Sequence, residues 1–198
     1  MGKSPYQGKS ISNWSEITDS LISKHPLKKK EIVKTVLKSW NDIFNSKIGS
    51  LFIGKEIFPS PQIISFLLHE LVAHYLRLSH PRVYKVGTEK NEKDVHCITN
   101  NSFSIEIKAS SDSKNIFANR SYAQPDFGNG KKNKNGYYIT INFEKFKGVK
   151  NRRPEILLIR FGYLEHKDWK AQKAATGQQA SLSKNAYLHK LKVLYSRN

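Results

Sequence analysis

Strand-like segments set among helical ones predict an α/β chain with a central mixed β-sheet flanked by helices. Three observations carry this expectation. Apolar residues recur at helical spacing through the first eighty residues, and side chains alternate in polarity within residues 82–109. Two later runs, 137–143 and 155–163, have the length and the β-branched and aromatic content of core strands. No shift in composition marks a linker, so residues 1–198 are expected to form a single domain, with a mainly helical part at 1–80 and the sheet and its loops at 81–198.

In chain order, Asn13 or Ser15 is placed to cap a first helix on which Ile17, Leu21 and Ile22 share a face, and His25-Pro26 ends it. A second helix is expected over 29–46, where Ile32, Val33, Val36, Leu37, Trp40, Ile43 and Phe44 form one stripe. A third spans 61–78, with Pro61 in its first turn and an apolar set wide enough for deep burial. Residues 94–98 and 103–108 both alternate, and polar Thr99 to Ser102 between them reads as the turn of a hairpin. Residues 110–135, polar and rich in Gly and Lys, read as loops, and 187–195 as a last strand.

Composition narrows the function. The chain carries 34 Lys and Arg against 16 Asp and Glu, a net charge of +18, on an apolar content of 38% that is ample for a core. So large an excess on a folded chain favours a polyanion, and nucleic acid is the usual one. A membrane surface is the rival partner. Against it, no signal peptide or lipidation motif is expected, no apolar run approaches the ~20 residues that span a bilayer, and the charge forms no amphipathic stripe. The one cysteine, Cys97, allows no internal disulfide and suits a reducing cytoplasm. No organic cofactor is expected.

The segment richest in chemistry is Glu92-Lys93-Asp94, eleven intervening residues, then Glu106-Ile107-Lys108. Residues two apart on a strand point the same way, so Glu106 and Lys108 share a face. A two-residue turn at Asn100-Asn101 would set Asp94 opposite Ile107, on the wrong face. A three-residue loop from Asn100 to Ser102 sets Asp94 opposite Lys108 and His96 opposite Glu106, and this register is the one expected. Phosphodiester hydrolysis needs an activated water and charge stabilisation at the transition state. Asp94 and Glu106 can hold a hard Mg2+ together with the backbone carbonyl of Ile107, and Lys108 can orient water and phosphate as a point charge.

Over nearly its whole length, from Ser4-Pro5-Tyr6 onward, the chain resembles the ScaI-like type II restriction endonucleases. The similar segments include Pro61-Gln62-Ile63, Leu67-Leu68-His69-Glu70-Leu71, Glu92-Lys93-Asp94, Ser104 to Lys108, Asn119-Arg120-Ser121, Gly136-Tyr137-Tyr138, Asn142-Phe143-Glu144-Lys145 and Thr176-Gly177-Gln178-Gln179. The resemblance implies a PD-(D/E)XK core, Mg2+ dependence, and a homodimer that cuts both strands of double-stranded DNA at a palindromic site. Asp94 then stands for the motif's first acid, Glu106 for its second and Lys108 for its lysine, while Lys93 replaces the usual proline. The resemblance also implies an auxiliary carboxylate on a helix, for which Glu70 is the candidate. His69 and His74, five residues and about 140° apart on a helix, cannot readily grip one zinc.

Two stretches are candidates for DNA contact. The first holds Asn119, Arg120, Ser121, Gln124, Lys131 and Lys132; the second holds Gln172, Lys173, Thr176, Gln178 and Gln179. Lysines neutralise phosphates, whereas Arg, Asn and Gln can also read base edges. From the residues alone, a structure-selective nuclease with the same metal site, or a non-catalytic DNA-binding protein, would show similar features.

Overall fold

The apolar stripes of the first eighty residues fold as three helices: α1 (Trp14–Lys24), α2 (Lys29–Asn45) and α3 (Pro61–Ser79). The structure, a computed structural model, describes residues 4–124, 133–146, 152–174 and 176–197. Neither expected cap closes α1 with its side chain. Asn13 makes no side-chain cap bond, and the Ser15 hydroxyl instead meets His189 Nδ1 at 3.0 Å. The α2 entrance is closed from inside, where the Glu31 carboxylate accepts the Lys28 N–H at 2.9 Å. Pro61 opens α3, where a missing N–H costs nothing. Between α2 and α3 lies a short hairpin, β1 (Lys47–Ile48) with β2 (Leu51–Phe52).

The remaining strands are β3 (Tyr84–Val86), β4 (Val95–Cys97), β5 (Ile105–Ser110), β6 (Phe117–Asn119), β7 (Gly136–Phe143), β8 (Ile156–Leu164), β9 (Trp169–Ala171), β10 (Gln179–Leu182) and β11 (Leu191–Ser196). Six of them form the expected central mixed sheet, in the order β11-β8-β7-β5-β4-β3. Only β5 and β7 run parallel in it. A parallel pair needs a long crossover, and here the crossover is not the plain loop expected over 110–135. It contains β6 and a 3-10 turn at Arg120–Ala123. The last strand also starts later than expected, because a π turn at Ala186–Lys190 precedes it.

The two faces of the sheet carry different chemistry. One presents Ile105, Ile107, Ile139, Ile141, Ile159 and Phe161, all buried with Val36, Leu68 and Val72 of the helices in one core. On the other face, Lys108 pairs laterally with Thr140, and Thr140 with Arg160. Above this polar face stands a second, three-stranded sheet, β6-β10-β9. It packs through Ala118, Tyr122, Trp169, Ala180 and Leu182 onto Tyr138 and Leu164. Sequence alternation shows neither of its outer strands, which are three residues each.

Candidate active site

The hairpin that carries the acids pairs in neither register considered above. Val95 lies opposite Ile105, so the antiparallel count sets Asp94 opposite Glu106. The correction is a shift of two residues from the expected register. Side-chain direction has period two, so Asp94 still shares the face of Glu106 and Lys108. The turn is longer than a three-residue loop because a 3-10 turn at Asn101–Phe103 intervenes, closed by Asn100 accepting the Ser102 N–H. Cys97 N–H then goes to the Ser104 hydroxyl at 2.9 Å instead of continuing the ladder.

Just past that single pair, the Ile107 N–H donates to Asp94 Oδ2 at 2.6 Å. The carboxylate thus takes the place of a neighbouring backbone carbonyl, which fixes its orientation beside β5. Behind Asp94, Gly87 N–H donates to the Asp94 carbonyl at 3.0 Å. A Cβ on Gly87 would fall 1.9 Å from the Lys93 carbonyl oxygen, so only glycine allows this approach.

Glu106 is only 2% exposed, and burying a carboxylate requires partners. Lys108 Nζ donates to Glu106 Oε1 at 2.6 Å, and the Tyr122 hydroxyl donates to the same oxygen. The Lys108 ammonium also lies 4.5 Å over the Tyr122 ring. Burial, then the nearby Glu106, Tyr122 and Asp94, push the Tyr138 phenol well above its ordinary pKa, so it stays neutral. Its hydroxyl donates to the Lys134 carbonyl at 2.6 Å. Lys93, where the motif usually has proline, is buried; it donates to the Asn133 carbonyl at 2.9 Å and lies 5.2 Å over the Tyr138 ring.

The helix residue turned toward Asp94 is His69, whose Nδ1 lies 3.9 Å from Asp94 Oδ2. Glu70, the expected auxiliary acid, is the next residue on α3, and its carboxylate lies 3.7 Å from His74 Nε2. His69 and His74 therefore face different partners, as their spacing predicts. His96 is held near Glu92, with Nδ1 3.4 Å from Oε1. Glu92 also accepts from Lys85, and that bond holds its carboxyl at a pKa of about 2.

The two stretches singled out for DNA contact meet in the second sheet. Asn119 pairs with Gln179 and Ala118 with Ala180, while Gln172 N–H donates to the Gln179 carbonyl at 2.9 Å. Arg120 N–H donates to the Gln178 carbonyl at 2.7 Å, and Arg120 Nη1 reaches the carbonyls of Ala174 and Gly177, each at 3.1 Å. Much of the Arg120 guanidinium is thus engaged in holding the turn that presents Thr176 and Gln178. Asn119, Ser121, Gln124, Gln172, Lys173, Thr176, Gln178 and Gln179 are exposed along this sheet and its turns. Lys131 and Lys132 lie outside the described residues.

The ScaI restriction endonuclease family model matches residues 4–195. The chain belongs to this family. It is also 44% identical, over 180 residues, to the type II restriction enzyme ScaI of Streptomyces caespitosus, a match spanning 90% of this chain and 79% of the relative. No solved structure matches. As a member of the ScaI family, the protein is a type II restriction endonuclease, a site-specific deoxyribonuclease. Membership makes DNA the substrate. No described helix is long and apolar enough to cross a membrane.

Reasoning from sequence overlooked Tyr122, Tyr138 and the orientation of His69. Tyr138 and His69 stand inside segments that resemble the family, so a signal was present for both. Tyr122 follows Asn119-Arg120-Ser121 directly, and no periodicity there marks it.

Proposed function

We propose that this restriction endonuclease has a PD-(D/E)XK core and cuts both strands of double-stranded DNA at a palindromic sequence, as a Mg2+-dependent homodimer. The observation that carries the reading is the convergence of Asp94, Glu106 and Lys108 on one polar face, with Asp94 anchored to the Ile107 N–H. The carboxylates of Asp94, just before β4, and of Glu106 on β5, with the Ile107 carbonyl, are hard oxygen donors of the kind Mg2+ prefers. Among the described residues no group of three or more His, Cys, Asp or Glu side chains is placed to hold a metal.

When bound there, Mg2+ supplies an acidified water and neutralises charge on the phosphate. Asp94 and Glu106 bind and orient. Lys108, already hydrogen-bonded to Glu106, is positioned to hold the attacking water and a phosphate oxygen as charge develops. Glu70, beside His69 on α3, is the auxiliary carboxylate of this reading. Asn119, Arg120, Ser121, Gln124, Gln172, Lys173, Thr176, Gln178 and Gln179, with Lys131 and Lys132, are the proposed DNA contacts. The position of Asn119 and Gln179 on paired strands of the second sheet, which packs over the polar face, supports this reading.

Digestion of DNA of known sequence with Mg2+, followed by mapping of the ends, tests the reading. Discrete symmetric breaks are expected, and Asp94→Ala, Glu106→Ala and Lys108→Ala should each nearly abolish them while folding is kept. Near-normal turnover in any of the three at saturating Mg2+ removes that residue from the site. Cleavage confined to branched DNA would refute sequence-specific duplex cutting, and a monomer on cognate duplex would refute the dimer.

A further inference from the structure

We propose that Tyr122 is a positioning residue for the cleavage reaction and that it ties the DNA-contacting sheet to the catalytic carboxylate. The inference rests on the assignment of Glu106 and Lys108 above. Its first support is that one side chain governs two catalytic groups. The Tyr122 hydroxyl donates to Glu106 Oε1, and its ring lies 4.5 Å beneath the Lys108 ammonium. Lys108 donates to that same oxygen at 2.6 Å. Glu106 is too buried for water to substitute freely for a lost donor, so removing the hydroxyl leaves the carboxylate less well held.

The second support is where Tyr122 comes from. It stands in the 3-10 turn Arg120–Ala123 that closes β6, one residue beyond three candidate DNA contacts. Lys134 clamps that turn from the catalytic side, donating to the Ser121 carbonyl and to the Gln124 carbonyl. On the far side, Arg120 binds the Gly177 and Gln178 carbonyls. The Tyr122 ring packs edge-on against Trp169 at 5.5 Å, and Trp169 opens β9 of the same small sheet. From the Gln178 turn to Glu106, the path therefore runs through Arg120, two residues of clamped backbone and the Tyr122 hydroxyl. A shift of the recognition turn on meeting bases reaches Glu106 and Lys108 together.

Tyr122→Phe keeps the ring and its packing while removing the hydroxyl. It should lower kcat for a cognate duplex by roughly 10- to 100-fold, the usual effect of losing a partner that orients a metal ligand. KM and metal-free duplex affinity should stay within about twofold, and the thermal midpoint should fall by only a few degrees, the cost of one hydrogen bond to a buried carboxylate with apolar burial kept. Calorimetric titration with Mn2+ in the absence of DNA should show several-fold weaker binding. Arg120→Ala combined with Tyr122→Phe should lower kcat about as much as the worse single change, because both act along one path. Unchanged kcat and Mn2+ affinity in Tyr122→Phe would overturn the positioning role, and strictly multiplicative effects in the double variant would overturn the tie to the DNA-contacting sheet. Glu106→Gln, assayed in parallel, separates the two levels. If it is inactive while Tyr122→Phe is normal, only the inference falls; if it still cuts DNA, the catalytic assignment falls and the inference with it.

Discussion

Acidification should destabilise this protein through one buried histidine, His25. The residue is 2% exposed and lies among the rings of Phe103, Tyr137 and Phe161. Leu27 N–H donates to Nδ1 at 3.1 Å, so the proton of the neutral ring sits on Nε2, which donates to the Phe103 carbonyl at 3.1 Å. Burial lowers its pKa from the ordinary 6.5 to about 4. A second proton on Nδ1 would also lose the Leu27 bond.

The sign follows directly. Between pH 6.5 and about 4 the unfolded chain binds a proton that the folded chain refuses, so stability falls as pH falls through that window. One proton corresponds to about 1.4 kcal/mol per pH unit, so the full window amounts to about 3 kcal/mol. His25→Asn removes the titration but leaves an oxygen able to accept from Leu27. Urea melts of both proteins should show the wild-type advantage shrinking by about 3 kcal/mol between about pH 7.5 and pH 4, or roughly 6–12 °C in Tm. Taking the difference between the two proteins cancels the titration of the acids they share. An advantage that stays constant with pH would refute the claim that His25 is held neutral.

Other expectations follow from the site and its supports. Gly87→Ala should cut activity at least tenfold with a modest loss of stability, since its Cβ would meet the Lys93 carbonyl and push the strand that carries Asp94; turnover equal to wild type would show that the strand gives way elsewhere. Lys190→Met should destabilise by about 3–5 kcal/mol in chemical melts, because Lys190 is fully buried between Glu165 and Asp168 and its loss strands their charge. With Ca2+ in place of Mg2+, the enzyme should bind duplex without cutting it. Lys173→Ala should then weaken cognate and scrambled duplexes alike and flatten the salt slope by about 0.9. Gln178→Ala should lower only the preference for the cognate site, and equal losses on both duplexes would move base reading away from that turn.

The parts legible in the sequence were those whose signal is local and periodic. The stripe from Ile32 to Phe44 is buried as helical spacing requires, whereas the wide apolar set expected from Ile63 to Leu76 is buried only along Ile64, Leu68, Val72 and Leu76, with Ile63 exposed. The shared face of Asp94, Glu106 and Lys108 was legible for the same reason, since period two survives any even shift of register. The register itself was not legible. Asn100, Asn101 and Ser104 wind the connection into a 3-10 turn through side-chain bonds that a count of turn residues does not foresee. The second sheet was hidden because its strands are three or four residues long and come from segments some fifty residues apart in sequence. Glu70 and His69 show the same limit on a helix. Amphipathic spacing places both at the edge of the apolar stripe, and only the packing of α3 against β4 and β5 decides that the histidine turns to Asp94.

On the proposed reading, strand β5 brings recognition and cleavage close together. Its odd-numbered residues Ile105 and Ile107 are held in the helical core, so the strand cannot rotate or slip without exposing them. Its even-numbered residues Glu106 and Lys108 are therefore fixed from behind, and what can vary is only what covers them. The cover is the crossover to parallel strand β7, which topology obliges to be long. Asn142 and Arg160, on the same polar face, hold the start of that crossover through the carbonyls of Asp112, Lys114 and Asn115. Lys134 holds its end. Between these two anchors stand β6 and the turn that follows it, which carry Asn119 to Tyr122 across the polar face. The connection that the fold requires between β5 and β7 is thus the element best placed to carry information from DNA to the carboxylate beneath it.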